Sequence, residues 1–456
     1  MSTMQSINPA TGTTVAEYPT HTPDQATEII NDVNTAWLSW HRTSFDERAK
    51  LMRRAADLLD ERADELARLM ANEMGKPLSQ GVGEAKKCAN VCRYYADNAA
   101  TFLADKPLQT DAKKSKVSYQ PLGVILTIMP WNFPFWQVFR QIAPSLMAGN
   151  TMVLKHASNV PGSALAIESI MQDAGFPVNT FRTLLVPGAE TEALITNPHV
   201  QAVSLTGSTP AGQQVAATAG SVLKKAVLEL GGSDPYLVLD DADIELAAQV
   251  SAASRLINTG QSCIAAKRFI VVESVYNKFV EAFTAEMEKY VVGDPFDSGT
   301  TVGPMARLDL RDELHEQVKQ AVKHGATVLM GCEVPESDGA FYPVSILADV
   351  TKDNPVYKEE LFGPVAMLIK AQDEADAIEI ANDTEFGLGG AIFSQDEARA
   401  ERIASEEIQS GAVFVNGLVA SDPRVPFGGI KQSGYGRELG EHGIHEFVNI
   451  KAVQIS

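Results

Sequence analysis

Hydrophobic and polar positions follow two different periods along this chain. From residue 23 to residue 103 the apolar positions recur every three or four residues, as in Leu51, Ala55 and Leu58, which predicts amphipathic helices. From residue 123 onward, short apolar runs alternate with stretches of helical period. Strands that alternate with helices favour a doubly wound, mostly parallel sheet, so the pattern predicts an α/β fold.

The alternation falls into two series. The first predicts strands at 123–129, 151–154, 183–186, 202–205 and 225–230, with helices at 137–148, 162–174, 190–196 and 210–219. The second predicts strands at 236–239, 269–272, 327–329, 366–369, 391–393 and 413–415, with helices at 244–256, 275–290, 308–324, 374–381 and 397–408. Because 456 residues are too many for one core, two doubly wound α/β domains are expected. Residues 1–20 are predicted to form a loose strand and turn, and residues 111–121 an exposed hairpin.

Charge and apolar content narrow the possible partners. The formal net charge of −20 opposes binding to nucleic acid or to anionic membranes. The most apolar stretch, residues 121–136, is interrupted by Pro130, Asn132 and Pro134, so no membrane span is predicted. The chain does not begin with a basic segment followed by an apolar one, and a cytoplasmic location is expected.

Cysteine content points to a reducing compartment. Four cysteines in 456 residues do not make a disulfide framework. Cys88 and Cys92 lie four apart on a predicted helix without a nearby histidine, so no metal site is expected there.

Cys263 and Glu229 are the first candidates for chemistry. Cys263 ends a short polar turn, residues 258–263, between a predicted helix and a predicted strand, where a loop presents a side chain from rigid elements. Glu229 precedes Gly231 and Gly232, which allow close backbone approach. A thiol needs a base or a lowered pKa, and hydrolysis needs a base for water. The alternative is an inert cysteine, since free cysteine is often a small buried hydrophobe.

An anion site is expected where the strand at 202–205 runs into the next helix. Thr209 is the expected N-cap and Pro210 the first helical residue, so free N–H groups and the helix dipole would favour a phosphate. Lys155 ends another strand and could bond ribose hydroxyls or a phosphate. The alternative is a surface lysine whose stem covers apolar atoms.

A set of motifs in this order resembles the NAD(P)-dependent aldehyde dehydrogenases over nearly the whole chain. They are Pro130-Trp-Asn-Phe-Pro134, Leu154-Lys155, Leu205-Thr-Gly-Ser208, Glu229-Leu-Gly-Gly232, Gly260-Gln-Ser-Cys263, Glu359-Glu-Leu-Phe-Gly-Pro364, Asn416-Gly417 and Pro426-Phe-Gly-Gly-Ile-Lys-Gln-Ser-Gly-Tyr-Gly-Arg437.

The resemblance implies catalytic roles for three residues. Cys263 would attack an aldehyde to form a thiohemiacetal and, after oxidation, a thioester. The Asn132 amide and the Cys263 backbone N–H would form the oxyanion hole. Glu229 would activate the water that hydrolyses the thioester.

The resemblance also implies a cofactor site. Lys155 and Glu360 would hold ribose hydroxyls, and Phe362 would pack near the nicotinamide. The remaining cofactor-binding residues implied are Trp131, Asn132, Gly207, Ser208 and Leu230. In many NAD-preferring members a glutamate lies three residues after the lysine, where this chain has Ser158 beside His156 in sequence. A carboxylate would repel a 2′-phosphate and a serine can donate to one, so NADP, or use of both cofactors, is favoured over strict NAD.

A domain plan follows from the same resemblance. Residues 1–107 and 122–231 would form the NAD(P)-binding domain, and residues 232–430 the catalytic domain. Residues 108–121 and 440–456 would form a small β oligomerisation element. Residues 112–120 and 448–455 would pair across subunits in a homodimer or homotetramer.

Within the family, the chain is most similar to the succinate-semialdehyde dehydrogenases. Arg140 lies eight residues after Asn132 on the following helix, and Ser421 matches a serine of that subgroup. Arginine can bind a carboxylate through two parallel hydrogen bonds; the alternative is an ordinary surface or interdomain ion pair. Some members carry a second arginine where this chain has Ile257, so longer or uncharged aldehydes could also fit.

Three rival functions stay open at this point. They are a broad-specificity aliphatic aldehyde dehydrogenase, an acylating enzyme that passes the thioester to coenzyme A, and a non-catalytic binding protein. The presence of Glu229 favours hydrolysis, and the presence of Cys263 and Asn132 argues against a non-catalytic role.

Overall fold

Two mostly parallel β-sheets and one small antiparallel sheet organise the chain in a computed structural model that describes residues 2–456. The strands are β1 (Thr3–Ile7), β2 (Thr14–Pro19), β3 (Lys106–Leu108), β4 (Lys114–Pro121), β5 (Val124–Met129), β6 (Thr151–His156), β7 (Phe181–Thr183), β8 (Val200–Thr206), β9 (Lys225–Glu229), β10 (Pro235–Val238), β11 (Arg268–Val272), β12 (Thr327–Met330), β13 (Ser345–Ala348), β14 (Val365–Ala371), β15 (Gly389–Phe393), β16 (Ala412–Val415), β17 (Gly434–Tyr435) and β18 (Val448–Ile455).

Helices connect and cover these sheets. They are α1 (Pro23–Trp40), α2 (Phe45–Glu61), α3 (Ala63–Met74), α4 (Leu78–Phe102), α5 (Trp136–Ala148), α6 (Pro161–Asp173), α7 (Thr191–Thr196), α8 (Thr209–Ser221), α9 (Ile244–Leu256), α10 (Tyr276–Met287), α11 (Leu308–Lys323), α12 (Glu374–Asn382), α13 (Glu397–Arg402) and α14 (Gly440–Glu446). The predicted α/β class is confirmed.

The first sheet has the strand order β17-β9-β8-β5-β6-β7. The chain passes from β5 to β6 and β7 on one side, and then returns to add β8 and β9 on the other, all in parallel. The carboxyl ends of β5 and β8 therefore lie side by side where the strand order reverses. Ligands of doubly wound sheets bind at such a point.

The second sheet has the strand order β12-β13-β14-β11-β10-β15-β16. Its neighbours are parallel except for β12, which pairs antiparallel with β13. The fully buried strand β13 is absent from the sequence prediction. A run of four residues after a segment rich in Gly, Pro and Ser has too little periodicity to identify a strand.

The third sheet joins β3, β4 and β18. The predicted hairpin is present, because β3 and β4 pair antiparallel. One expectation is wrong: β4 and β18 pair with each other within one chain, from Val448 opposite Pro121 to Ile455 opposite Lys114, and not across subunits. The turn between β3 and β4 folds the hairpin back, so the C-terminal strand can add to its edge.

Several predicted boundaries need correction. The strand expected at 183–186 is β7 at Phe181–Thr183. The N-cap of α8 is Ser208 and not Thr209, which is the first helical residue. The helix expected at 397–408 changes to π-helical hydrogen bonding at Ile403–Glu407. Residues 2–20 contain an antiparallel strand pair, β1 with β2, with a register shift between Ser6 and Ile7, and not the predicted loose strand and turn.

Packing places α4 beneath the start of α5, next to the carboxyl edge of the first sheet. Glu84 on α4 accepts hydrogen bonds from the backbone N–H groups of Phe135 and Trp136, each at 2.9 Å. It also forms a buried ion pair with Lys76. This carboxylate satisfies free N–H groups at the N-terminus of α5 and fixes the preceding turn. None of the helices in residues 2–456 combines the length and apolar character that a membrane crossing needs.

Candidate active site

Cys263 follows a turn with unusual backbone geometry. Asn258, Thr259 and Gly260 all have left-handed conformations, with φ of 52°, 59° and 73°. Thr259 is β-branched, for which this region is costly, so the surrounding contacts must impose it. Gly260 is needed for space, because a Cβ there would lie 2.2 Å from the carbonyl oxygen of Gly363. Cys263 therefore lies at the end of a turn, as predicted, and that turn is rigid.

Two buried cations hold the carbonyl groups of this turn. Lys267 Nζ donates to the carbonyl oxygens of Ser262 at 2.8 Å and Cys263 at 2.7 Å. Arg255 Nη2 donates to the carbonyl oxygen of Gly260 at 2.5 Å. Both side chains are fully buried. Charge-assisted hydrogen bonds from rigid, buried donors fix the position of the nucleophile.

Asn132 lies against the same turn. Its Nδ2 donates to the carbonyl oxygen of Gln261 at 3.1 Å, and its own carbonyl accepts from Asn258 Nδ2 at 2.7 Å. An amide nitrogen carries two hydrogens, so one remains for a ligand. The backbone N–H of Cys263 donates to no group among the described residues. The structure thus brings together the two donors predicted for an oxyanion hole.

Two cavities meet at Cys263. A cleft of about 740 Å³ is lined by Pro130, Trp131, Asn132, Thr206, Gly207, Ser208, Leu230, Gly231, Cys263, Leu310, Glu360 and Phe362. A second cavity of about 550 Å³ is lined by Lys87, Phe133, Trp136, Gln137, Arg140, Ser254, Ile257, Ser262, Cys263, Ile264, Leu418, Val419, Ala420, Ser421 and Phe427. One ligand could therefore reach the thiol from the first cleft, and another ligand could reach it from the second cavity.

The first cleft opens at the carboxyl ends of β5 and β8, where the strand order reverses. Seven of the nine predicted cofactor residues line it: Trp131, Asn132, Gly207, Ser208, Leu230, Glu360 and Phe362. The rings of Trp131 and Phe362 meet edge to face with centroids 5.9 Å apart. The side chain of Ser208, the N-cap of α8, makes no capping hydrogen bond and remains free for a ligand.

Lys155 and Ser158 are the two predicted cofactor residues outside that lining. Lys155 is in β6, is largely buried, and makes no hydrogen bond or ion pair with the described residues; burial lowers its pKa. An unpartnered buried ammonium fits hydroxyl or phosphate ligands. Ser158 is exposed in the turn after β6. The residues therefore fit a dinucleotide placed along the edge of the first sheet.

His156 is unsuited to bind a phosphate, although it is close to Ser158 in sequence. It is buried, and its Nε2 donates to the carbonyl oxygen of Pro134 at 2.9 Å. Its Nδ1 accepts from the N–H of Ala157 at 2.9 Å. Burial lowers the pKa of His156 to about 4. This neutral ring joins β6 to the turn that carries Asn132.

Glu360 is engaged with the protein. Its carboxylate forms an ion pair with Lys267 at 3.2 Å and accepts from the N–H of Gly232 at 3.2 Å. The double glycine makes this possible, since a Cβ at Gly231 would lie 2.6 Å from Glu360 Oε2. The predicted close backbone approach is thus observed. Glu360 could hold a ribose only by sharing or leaving these partners.

Glu229 lines neither cavity. It ends β9, is buried, and neither carboxylate oxygen has a hydrogen-bond partner among the described residues. A Cβ at Gly428 would lie 2.7 Å from Glu229 Oε1, so the side chain is directed toward that segment. Burial, and then the charge of Glu438, raises the pKa of Glu229 well above its usual range, against the opposing effect of Arg140.

The second cavity contains the predicted substrate residues Arg140 and Ser421. Arg140 is buried on α5, where it forms an ion pair with Glu438 and donates from Nη2 to Thr206 Oγ1 at 3.2 Å. Its guanidinium lies 4.9 Å from the centroid of the Phe427 ring. Ser421 Oγ accepts from Lys87 Nζ at 2.7 Å. The predicted alternative, an ion pair for Arg140, is therefore also observed.

The electrostatics of the thiol are set by its surroundings. Burial raises the pKa of Cys263 to about 12, while the charges of Arg140 and Lys267 oppose the rise. The thiol is therefore protonated at neutral pH, and its reaction needs a proton acceptor.

Sequence reasoning missed Lys87, Lys267, Arg255 and Glu438. No motif marks them: Lys87 occupies one position of a long amphipathic helix, and Glu438 follows the last recognised motif. The proximity of Lys267 to Cys263 in sequence is the one available signal.

A cysteine between a dinucleotide-type cleft and a second cavity is the arrangement expected of an NAD(P)-dependent oxidoreductase. The aldehyde dehydrogenase family model matches residues 1–453. The chain belongs to the aldehyde dehydrogenase family, and the predicted resemblance is confirmed.

Individual relatives match over their full length. A succinate-semialdehyde dehydrogenase [NADP(+)] from Mycobacterium leprae is 48% identical over 453 residues, covering 99% of each chain. A protein named aldehyde dehydrogenase from Paenarthrobacter nicotinovorans is 47% identical over 454 residues, also covering 99% of each. The crystal structure of succinic semialdehyde dehydrogenase from Streptococcus pyogenes in complex with NADP+ has a TM-score of 0.97, with 39% identity and 99% of each chain covered.

Proposed function

We propose that this enzyme oxidises succinate semialdehyde to succinate, with NADP preferred over NAD. The observation that carries the proposal is the position of Cys263 between two cavities, one suited to a dinucleotide and the other lined by cationic side chains. The balanced reaction consumes an aldehyde, one water and one oxidised cofactor, and releases a carboxylate, one reduced cofactor and two protons.

Cys263 carries the substrate through two covalent states. Its sulfur bonds to the aldehyde carbon and its thiol proton is lost to a base or water, which gives a thiohemiacetal. The Asn132 amide and the Cys263 N–H donate to the oxygen while it bears negative charge. A nicotinamide dinucleotide, when bound, accepts the hydride that leaves this carbon. The product on Cys263 is a thioester.

Glu229 completes the reaction as the base for water. It takes a proton as the water oxygen bonds to the thioester carbon, and the C–S bond then breaks to return the Cys263 thiolate. Burial raises the pKa of Glu229, and a carboxylate with a raised pKa holds the proton that it takes from water more firmly than an ordinary carboxylate does. Neither carboxylate oxygen of Glu229 has a hydrogen-bond partner among the described residues, so the side chain loses no hydrogen bond when it turns toward the thioester.

Cofactor choice is assigned to the turn after β6. Lys155 and Glu360 hold ribose hydroxyls, and Ser158 leaves room and a donor for a 2′-phosphate. The remaining cofactor residues are Trp131, Asn132, Gly207, Ser208, Leu230 and Phe362. Ser158→Glu is expected to reverse the NADP preference, measured as the ratio of kcat/KM values for the two cofactors. An unchanged ratio would remove Ser158 from this role.

Arg140 and Ser421 are proposed to bind the substrate carboxylate in the part of the second cavity that they line. Arg140 Nη1 makes no hydrogen bond with the described residues, so one donor remains although Glu438 and Thr206 occupy the others. Substrate length is then fixed by the distance from this part of the cavity to Cys263.

A second candidate is a broad-specificity aliphatic aldehyde dehydrogenase. Apolar side chains dominate the second cavity, among them Phe133, Trp136, Ile257 and Phe427. Arg140 is already paired with Glu438, which makes it a weaker candidate for binding a substrate carboxylate.

Initial rates separate the two candidates. We expect succinate semialdehyde to be used with a much higher kcat/KM than butanal, with NADP better than NAD, and we expect Arg140→Ala to reduce that substrate preference. Equal use of butanal by the wild type would establish the broad-specificity alternative.

Architecture and assembly are proposed on the same grounds. Residues 1–107 and 122–231 would bind the cofactor, residues 232–430 would carry the nucleophile, and residues 108–121 and 440–456 would join subunits of a cytoplasmic homodimer or homotetramer. The edge strand β18 exposes Ile450 and Ile455, and an apolar, unpaired edge invites another chain.

A further inference from the structure

Lys87 is a cation in the second cavity that forms no ion pair with a carboxylate of the described residues, although Glu84 and Asp422 lie near enough to raise its pKa against the lowering effect of burial and of Arg140. It lies on α4, and its side chain is largely buried among the residues that line this cavity. Its Nζ lies 4.1 Å from the centroid of the Trp136 ring and donates to Ser421 Oγ at 2.7 Å. None of the ion pairs within residues 2–456 includes Lys87, which is exceptional for a largely buried lysine.

Arg140, the other cation of this cavity, is already paired with a carboxylate. Glu438 forms an ion pair with it, and both side chains are fully buried. A second carboxylate beside Arg140 would be repelled by Glu438 while it is attracted by the guanidinium. Arg140 can still donate a hydrogen bond, and its charge reaches Cys263, where it opposes the rise in pKa caused by burial, but Glu438 offsets part of the charge that a ligand would meet.

Ser421 is arranged to act together with Lys87. Because the ammonium donates to Ser421 Oγ, the serine hydroxyl hydrogen is free to point elsewhere. The two residues come from different parts of the chain, α4 and the segment before Phe427, and meet at one wall of the cavity. A carboxylate placed there would accept from both.

We propose that Lys87 supplies an unpaired positive charge, in addition to that of the Glu438-paired Arg140, that selects an aldehyde bearing a distal carboxylate, with Ser421 as its partner. This inference rests on the proposed function and assigns its specificity to a residue that no motif marks. Trp136 holds the ammonium against its ring, and the apolar walls prevent water from screening the charge.

The test compares Lys87→Met with Lys86→Met. Methionine keeps much of the lysine stem without the charge. Lys86 is the adjacent lysine and is exposed on α4, so its substitution removes the same charge outside the cavity. Kinetics with succinate semialdehyde and with butanal, at saturating NADP, give the substrate ratio for each protein. Inhibition by succinate against butyrate in the butanal assay reports carboxylate binding independently of turnover.

We expect Lys87→Met to lower kcat/KM for succinate semialdehyde by about 30-fold or more, which corresponds to the loss of a buried charge pair. Most of the change should be in KM, because the contact is remote from the reacting carbon. Butanal should be affected far less, and succinate should lose its advantage over butyrate as an inhibitor. Lys86→Met should retain wild-type ratios.

Two failures are distinguishable. If the wild type shows no preference for succinate semialdehyde over butanal, the proposed substrate is wrong and the inference falls with it. If the wild type has the preference and Lys87→Met keeps it, Lys87 is wrong and the proposed function stands. Should Lys87→Met fail to fold, Lys87→Gln provides the same comparison, and wild-type inhibition by succinate no stronger than by butyrate would overturn the inference without any variant.

Discussion

At the Cys263 thiol, burial and nearby charge act in opposite directions. Burial removes water from the anion and raises the pKa to about 12, whereas Arg140 and Lys267 favour the thiolate. Burial has the larger effect in the protein without ligands. The site thus protects a reactive group from adventitious chemistry until a substrate and a base are in place.

Alkylation tests this account of the thiol. For the enzyme without cofactor, the rate of Cys263 modification by iodoacetamide should rise about tenfold per pH unit from pH ~7 to ~10, because only the thiolate reacts. Cys263→Ala provides the background from the other cysteines. A rate that is already constant between pH ~7 and ~9 would show that the thiolate forms without help.

Lys267 and Glu360 couple the nucleophile to the cofactor cleft. One ammonium bonds the carbonyls of Ser262 and Cys263 and also pairs with Glu360. A ribose that draws Glu360 away would change the charge around Lys267 directly behind the thiol. The contact between Lys267 and Glu360 joins residues 93 positions apart in sequence (360 − 267), which is why no local pattern predicts it.

At the scale of elements, the turn before Cys263 and the start of α5 form one assembly. Asn258 Nδ2 donates to the backbone carbonyl of Asn132, Asn132 Nδ2 donates to the carbonyl of Gln261, and Glu84 on α4 fixes the start of α5. Other segments hold the left-handed residues of this turn: the Asn258 N–H donates to Gln80 Oε1 on α4 at 2.8 Å, and Thr259 Oγ1 donates to the carbonyl oxygen of Gly303 at 3.3 Å. Strain at a functional turn of this kind is stabilised by the rigid structure around it.

Gly260→Ala tests that assembly. A Cβ would lie 2.2 Å from Gly363 O at a φ of 73°, so the backbone of the turn must shift. The expected cost in the free energy of unfolding is about 2–5 kcal/mol, from the left-handed conformation and overpacking together. Activity should fall further than stability alone explains, since Cys263 is three residues away. Thermal unfolding and initial rates measure both effects.

Gly299→Ala is the matched control. Its Cβ would have no neighbour within 4 Å, and its φ is not in the left-handed region. Wild-type stability and activity are expected for it. A Gly260→Ala enzyme with wild-type rates would contradict a rigid nucleophile turn.

Helices and strands could be predicted from the sequence where the period of their apolar residues is clear. The helix at Ile244–Leu256 has the predicted bounds, because an aspartate cap and a clear apolar stripe define it. Strand β13 and the shift of β7 were not predictable, since short buried strands carry little periodicity. The α8 cap moved to Ser208 because either hydroxyl residue could fill that position in the sequence.

At the scale of the whole molecule, family motifs located most of the site. Cys263 and the seven predicted cofactor residues that include Asn132 line one cleft, and each of them lies within one of the motifs. The pairing of β4 with β18 was wrong in the prediction, since sequence does not distinguish pairing within a chain from pairing between chains. The role of Lys87 was also not predictable from the sequence, because it depends on how α4 packs.

Assembly through β18 is testable by one substitution. Ile450 is 63% exposed on this edge strand, so Ile450→Lys is expected to convert a dimer or tetramer into a smaller species without unfolding it. Val178→Lys, at a loop position that is 75% exposed, is the control and should leave the assembly intact. Light scattering after size exclusion measures both. An unchanged mass for Ile450→Lys would place the interface elsewhere.

The central claim is a covalent acyl group on Cys263 that Glu229 helps to remove. The most direct measurement is peptide mass spectrometry of enzyme quenched in acid during turnover with succinate semialdehyde and NADP. We predict a succinyl group on Cys263 that requires NADP and accumulates in Glu229→Gln, whereas the exposed control Glu245→Gln resembles the wild type. Turnover in Glu229→Gln should be about 10²- to 10⁴-fold slower. Rapid turnover by Glu229→Gln with no acyl group on Cys263 would contradict the account.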